Sequence, residues 1–396
     1  MSEELKYPLM SDNVLREDCD AVVNFLNQDP IPKLTNGPQV REFEKEWGEW
    51  LGTDYNIMVN SGSSANELSF LMLRHLIPHL GDVICPPLCW VSDIAAIMQN
   101  GFRPVFCDIK KENLALDIEK VKKKITKDTR AILLVHILGY NGLSDELLQL
   151  CKDKNLILIE DCCESHGATF DGKKVGSFGS VSNFSFYFAH HMTSIEGGMI
   201  SSNKEVYGDL GKIFRSHGML RESDNEKVKE KIIELNPDLN PEFIFLEGAH
   251  NHRSTEINAV IARNQLKRLD GNNAKRVANL DIFLDGLDPL KYYTGFDRKG
   301  NSNYAFTLML NEASAVDRAK IERALKKNGI EFRRGMSGGG NQLRQPYLRR
   351  YKPMAKAAAN FPITEFVHDY GWYIGNFPDL DESQITGLTK ILNEAI

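Results

Sequence analysis

The chain has 396 residues, 42% of them hydrophobic, which is enough for one large domain and a smaller one with packed cores and too apolar for a disordered chain. A net charge of −6 and an isoelectric point near 6.0 leave no basic footprint for nucleic acid or an anionic membrane, so small-molecule chemistry is the default. Residues 1–6 are polar and lack the apolar core of a signal peptide, the longest apolar run (131–138) is too short to span a bilayer, and seven cysteines, an odd number, fit reduced thiols; the expectation is a cytoplasmic protein with no membrane contact and no metal site.

Residues 11–52 read as two helices leading into a large domain. From residue 55 to about 199, short β-branched runs alternate with amphipathic segments, the signature of βαβ units and a mostly parallel sheet. The runs at 57–59, 83–84, 104–106, 131–135 and 156–159 read as strands, and apolar residues at helical spacing mark helices at 65–76, 91–99, 144–152 and 255–269. The charged stretch 221–231 reads as a solvated face or surface loop. After about residue 290, a strand (304–309), a helix (315–328) and another strand (330–332) describe a smaller α+β unit. The expected division is an N-terminal segment at 1–52, a large domain at 53–270 and a small one at 271–396.

Asn60-Ser61-Gly62-Ser63-Ser64-Ala65-Asn66 follows a strand and opens a helix, so Gly62, Ser63 and Ser64 bring N–H groups and hydroxyls to a helix N-terminus suited to phosphate. The same composition is also ordinary capping. Trp90 precedes a helix, where an indole stacks on a flat ligand or fills the core. The strand at 156–159 runs into Glu160 and Asp161, at the strand end where open α/β sheets bind ligands; a helix cap or a solvated acid is the plainer reading of Asp161. Glu164 follows three residues later. The stretch Ser185-Phe186-Tyr187-Phe188-Ala189-His190-His191, with Glu196-Gly197-Gly198 after it, lies in a region without lysine between Lys174 and Lys204. Imidazole, with a pKa near ~6.5, takes and returns protons near neutrality. His217, Arg221, Arg253, Arg333 and Arg334 suit phosphate or carboxylate groups of a substrate, and equally suit surface ion pairs.

Over nearly the whole chain these segments resemble the DegT/DnrJ/EryC1/StrS family of sugar-nucleotide aminotransferases, and within it a lysine-free 3-dehydratase branch. The likeness lies in 188–192 with 195–198, in 160–167, and in Phe332-Arg333-Arg334-Gly335 followed by Gly338-Gly339-Gly340-Asn341-Gln342-Leu343. Family members carry, at the position of His190, a lysine that bonds covalently to pyridoxal 5′-phosphate; here the anchor is gone and a base is kept. The resemblance implies an α/β, aspartate aminotransferase-like (type I) fold and pyridoxal or pyridoxamine 5′-phosphate held non-covalently. It further implies L-glutamate as amino donor, and removal of the C3 hydroxyl of GDP-4-keto-6-deoxy-D-mannose with His190 as base. It assigns the phosphate to Gly62, Ser63, Ser64 and Ser185, the ring face to Trp90, the pyridine nitrogen to Asp161 and the ring hydroxyl to Glu164, where relatives carry His or Gln. Asn251 is expected to reach the same phosphate across a homodimer interface, and His217, Arg221 and Arg333 to touch the nucleotide sugar. No base-reading motif separates GDP from other nucleotides.

Three rivals are weaker. An iron–sulfur relative acting on CDP-linked sugars needs cluster cysteines beyond the histidine, and this chain has none after Cys163. An ordinary sugar aminotransferase would need a distant lysine such as Lys212. A silent binding protein has no need of a protonatable residue at the centre of the motif.

Overall fold

Strand alternation sets the architecture. The computed structural model describes residues 7–11, 13–351 and 357–396, so the polar start at 1–6 lies outside the described residues. The strands of the first half are β1 (Tyr55–Val59), β2 (Asp82–Cys85), β3 (Arg103–Phe106), β4 (Thr129–Val135), β5 (Ile157–Asp161), a small hairpin of β6 (Thr169–Phe170) and β7 (Lys173–Lys174), β8 (Val181–Ser185) and β9 (Gly198–Ser202). Seven of them form one sheet in the order β1-β9-β8-β5-β4-β2-β3. From β3 to β8 neighbours are parallel, and β9 is antiparallel to both β8 and β1.

Both faces of this sheet are covered, so its middle strands are buried nearly end to end. In β4, Ala131, Leu133 and Val135 face one core with the helices α3 (Gly62–Leu76), α4 (Val91–Gln99) and α7 (Glu205–Arg215), while Ile132 and Leu134 face the other. That second core is closed by α2 (Pro38–Leu51), α5 (Ile118–Lys124), α6 (Asp145–Asp153) and α9 (Glu256–Gly286); α1 (Arg16–Leu26) lies outside it against α9. A separate antiparallel sheet holds β10 (Ala305–Met309), β11 (Phe332–Arg334) and β12 (Gly371–Gly375), with β12 in the middle. The helices α10 (Ala315–Lys327) and Glu382–Ala395 complete that unit.

The expected elements are present, with four differences. The charged stretch at 221–231 leads into α8 (Glu226–Leu235), a helix with no buried residue, so the solvated face is helical. The strand expected at 330–332 starts two residues later, because Ile330 pairs in parallel with Tyr7 just after Gly329 at φ +65°. The central strand β12 went unread. The helix expected to stop at 269 runs unbroken to Gly286, so the 270/271 division falls inside α9. Asp270-Gly271-Asn272-Asn273 has the composition of a turn, but tertiary bonds override it: Asn273 Nδ2 donates to the His166 carbonyl at 2.8 Å and Arg276 Nη1 to the Tyr304 carbonyl at 3.1 Å. Further along, Phe283 stacks flat on Phe306 of β10 at 4.4 Å.

Among the described residues no helix is long and apolar enough to cross a membrane.

Trp47 of α2 is fully buried edge-on to Phe184 (4.9 Å) and Phe186 (5.0 Å), the two residues flanking Ser185. Trp47→Ala is expected to cost about 3–5 kcal/mol in chemical denaturation, with Trp47→Phe costing clearly less.

Candidate active site

The carboxyl ends of β4, β5 and β8 meet the N-termini of α3 and α4 and the first residue of β10 around a cleft of about 600 Å³. Of the residues singled out in the sequence, Gly62, Ser63, Trp90, Asp161, Glu164, Ser185, His190 and Arg333 all line it.

One end is built to take an anion. Ser61 caps α3, its hydroxyl accepting the Ser64 N–H at 3.0 Å, which leaves the Gly62 and Ser63 N–H groups without acceptors among the described residues. Ser185, at the end of β8, sits directly against Gly62: a Cβ on Gly62 would come within 2.6 Å of the Ser185 Cβ. Only glycine lets the two segments close. Ser64 does not line the cleft; its hydroxyl engages Asn60 Oδ1 at 2.6 Å and His252 Nδ1 at 3.1 Å, so its part is to brace the turn.

His190 lies on the excursion between β8 and β9. Phe186 pins the base of that excursion, its N–H donating to the Gly197 carbonyl (2.8 Å) and its carbonyl accepting from Ser194 N (3.0 Å). Asn13 Nδ2 holds the His190 carbonyl at 3.0 Å. The ring lies between Tyr304 (5.5 Å), His166 (6.1 Å) and Tyr187 (6.2 Å). Its Nδ1 is enclosed without a partner among the described residues, and the ring lines the cleft, which leaves Nε2 to face it. Burial pushes its pKa down to about 4; nearby Asp161 opposes the shift and the Arg276 guanidinium adds to it. The imidazole is therefore neutral at pH 7, with a lone pair free.

Asp161 is buried on the α3 side of the sheet, where Oδ2 accepts from Asn66 Nδ2 at 3.0 Å and Oδ1 from the Cys163 N–H at 2.8 Å. Glu164 accepts the Leu138 N–H at 2.9 Å and the Ser337 hydroxyl at 3.1 Å. Leu138 presents that N–H from a left-handed conformation (φ +51°), backbone strain of the kind that collects at functional sites. Burial raises Glu164 to about 7, so this carboxyl is close to half protonated at neutral pH. Trp90 projects from the start of α4 with 54% of its surface exposed, an aromatic plate open to a flat ligand. Arg333 stands at the rim, bound to Glu331 at 2.8 Å.

The structure does not bring three other expected residues to this cleft within one chain. His217 lines a separate shallow groove with Phe245 and Glu247. Arg221 is a surface residue near Glu222 and Glu242 with its guanidinium over Phe243. Asn251 is exposed, its Oδ1 accepting from the Arg253 N–H at 3.1 Å. The rival Lys212 is tied to Asp224 on the surface, and no lysine is among the described cleft residues. Sequence reading missed Asn66, Asp93, Tyr304 and Ser337. Asp93 carries the signal of a helix-capping acid, and Tyr304 is a lone aromatic just before a strand.

Ligand atoms of His136, Glu160 and Cys162 lie within 4.8 Å of one another, but those of His136 and Glu160 are already engaged in hydrogen bonds. Glu160 accepts the Gly176 and Phe178 N–H groups at 2.9 and 3.1 Å and meets His136 Nε2 at 3.2 Å, while His136 Nδ1 accepts from Gly142 N at 3.0 Å.

A covered, mostly parallel sheet that ends in a phosphate-sized N–H cradle and a buried carboxylate is the aspartate aminotransferase-like fold of the pyridoxal phosphate enzymes, and solved structures of that class superpose on it. Within that class, the chain belongs to the DegT/DnrJ/EryC1/StrS aminotransferase family, whose profile matches residues 15–393. It is 30% identical over 398 residues to GDP-4-keto-6-deoxy-D-mannose 3-dehydratase of Yersinia pseudotuberculosis, covering 98% of this chain and 99% of that one. A crystal structure of GDP-4-keto-6-deoxymannose-3-dehydratase with a trapped PLP-glutamate geminal diamine superposes with a TM-score of 0.85 at 27% identity, covering 98% of this chain and 100% of that one. The E. coli GDP-4-keto-6-deoxy-D-mannose-3-dehydratase with bound hydrated PLP gives 0.84 at 28% identity over the same shares.

The residues present fit that cofactor. The Gly62 cradle has N–H donors without acceptors among the described residues, and Asp161 offers a buried carboxylate.

Two outcomes follow. The His190 ring, followed by NMR in the protein without cofactor, should titrate near pH 4, protonated below and neutral above, rather than near ~6.5. Gly62→Ala forces Ser185 away and is expected to weaken pyridoxal phosphate binding about tenfold or more by fluorescence titration, which corresponds to ~1.4 kcal/mol.

Proposed function

We propose that this protein is a pyridoxal phosphate-dependent 3-dehydratase acting on GDP-4-keto-6-deoxy-D-mannose. L-Glutamate donates the amino group, and the products are GDP-4-keto-3,6-dideoxy-D-mannose, 2-oxoglutarate and ammonia. One observation carries the proposal: a neutral histidine occupies the lysine position of the family motif, in a cleft lined also by Gly62, Ser63, Trp90, Asp161, Glu164 and Ser185 and by no lysine among its described residues.

Gly62, Ser63 and Ser185 would hold the phosphate, Trp90 would cover the ring face, and Glu164 would meet the ring hydroxyl. Asp161 would hold the proton on the pyridine nitrogen. When bound, the cofactor would supply an electron sink. His190 would accept a proton at Nε2 and give it up to the departing C3 oxygen; its low proton affinity keeps the base free to act and ready to give the proton back. Lysine at this position would reprotonate the sugar and complete an ordinary amino transfer. Arg333, free to swing from Glu331 at the rim, is placed to meet the nucleotide phosphates or the glutamate carboxylate.

The homodimer belongs to the same proposal. Asn251, His217 and Arg221 find no role in the cleft of their own chain, and a second copy gives them one. Large apolar side chains left outside, among them Tyr187, Ile195, Phe243 and Phe245, supply a surface for it. A cytoplasmic location follows from reactants that are phosphorylated metabolites and an amino acid.

The test is product mass after incubation with pyridoxal phosphate, L-glutamate and the GDP-linked 4-keto sugar, with ammonia assayed in parallel. The expected product is lighter by ~16 Da with ammonia released; a gain of ~1 Da without ammonia means amino transfer to C4 and overturns the proposal. His190→Asn should lower turnover about 10²–10⁴-fold while pyridoxal phosphate still binds.

A further inference from the structure

Behind Asp161 the floor of the cleft holds a second acid that the function above leaves unused. Asp93, in the first turn of α4, has no exposed surface, and Asp161 is 4% exposed. A single amide serves both: Asn66 Nδ2 donates to Asp93 Oδ1 at 2.9 Å and to Asp161 Oδ2 at 3.0 Å, and the two carboxyl groups stand within hydrogen-bonding reach of each other. Among the described residues no lysine or arginine pairs with either acid. The titratable groups facing Asp93 are acidic or neutral: Asp161 and Glu164 from the end of β5, Cys163 beside them, Cys85 and Cys89 before α4, and Tyr347 beyond. Two carboxylates in one water-poor site with no cation between them hold a proton in common. Burial, with Asp161 adding to it, pushes Asp93 well above the usual carboxylate range.

We propose that Asp93 is a positioning residue that keeps one proton in the Asp93–Asp161 pair and so sets how firmly Asp161 holds the protonated pyridine nitrogen of the cofactor. This rests on the pyridoxal phosphate reading given above. While Asp93 is neutral, its O–H donates to the Asp161 carboxylate and spreads that charge. When rising pH removes the proton, a second negative charge stands behind Asp161, and the pyridine nitrogen keeps its own proton to higher pH. Asp93 also accepts the Trp90 N–H at 3.2 Å, a capping contact. Asparagine preserves that acceptor and offers a donor toward Asp161; with the titrating proton it gives up the second oxygen, which accepts from Asn66.

The experiment loads the protein with pyridoxamine phosphate carrying ¹⁵N in the ring and follows the ring nitrogen by NMR as pH rises, in the wild type and in Asp93→Asn. The expected wild-type curve has two steps; in the variant the step belonging to Asp93 is lost and the ring nitrogen gives up its proton at lower pH. Superimposable curves overturn the proposal, because a residue that only caps the helix leaves the ring nitrogen untouched. A single-step wild-type curve overturns it without any variant. In the protein without cofactor, the infrared absorption of protonated carboxyl groups at neutral pH is expected to lose a component on Asp93→Asn while the Glu164 component stays, and an absorption left unchanged by Asp93→Asn sinks the assignment. A wild type that binds no cofactor overturns the function proposed above and this inference together; binding with an unchanged titration overturns only the role of Asp93.

Discussion

Glu160 and Asp161 leave the end of β5 in opposite directions, as neighbours on a strand must. Much of the site depends on that alternation. Glu160 turns toward the α2 and α9 side, where it gathers the backbone N–H groups of 176–179, the turn that feeds β8 and delivers Ser185. Asp161 turns toward α3 and α4, into the cleft. A one-residue slip of β5 would bury the cofactor's acid among Phe184 and Leu158 and point the structural acid at the ligand. The register is held by parallel pairing on both sides, to β4 and to β8.

Burial then does to the bases what it does to the acids. His166, His190 and His191 stand together with their proton affinities depressed, all three by removal from water first. Across the cleft the same removal lifts Glu164 to about 7 and pushes Asp93 well above the usual carboxylate range. The pocket thus favours the neutral forms of these three imidazoles and of the Glu164 and Asp93 carboxyl groups. That is the environment in which a histidine can replace lysine: it gives up the covalent bond and retains a base uncharged at working pH.

How much of this was legible in the sequence follows from the range of the forces involved. The strands β1 to β5 and the helices α3, α4, α6 and the start of α9 announce themselves in apolar periodicity, while β8 and β9, rich in serine, do not. The motif around His190, the Ser–Gly turn at 61–64 and the acid at 161 are local, and all but Ser64 line the cleft. What escaped depends on distant partners. Tyr304 is placed beside His190 by α9, through Arg276 bonded to its carbonyl. Asp93 has the spacing of a cap, and its second role exists only because Asn66 and Asp161 arrive from two other elements. β12 is central in a sheet whose other strands lie far off in the chain. The continuation of α9 past residue 269 likewise rests on distant partners.

The helix α9 touches the site at three places along its length. Asn258 holds the Glu196 carbonyl on the loop that follows His190, Asn273 holds His166 behind Asp161, and Arg276 holds Tyr304. Each contact fixes a phase around the helix axis as well as a height along it. One inserted or deleted residue between 258 and 276 would turn the later contacts by about 100° away from their partners. This segment should therefore tolerate changes of residue on its outer face far better than any change of length, and the spacing between those three side chains is as much a part of the active site as the groups that touch the ligand.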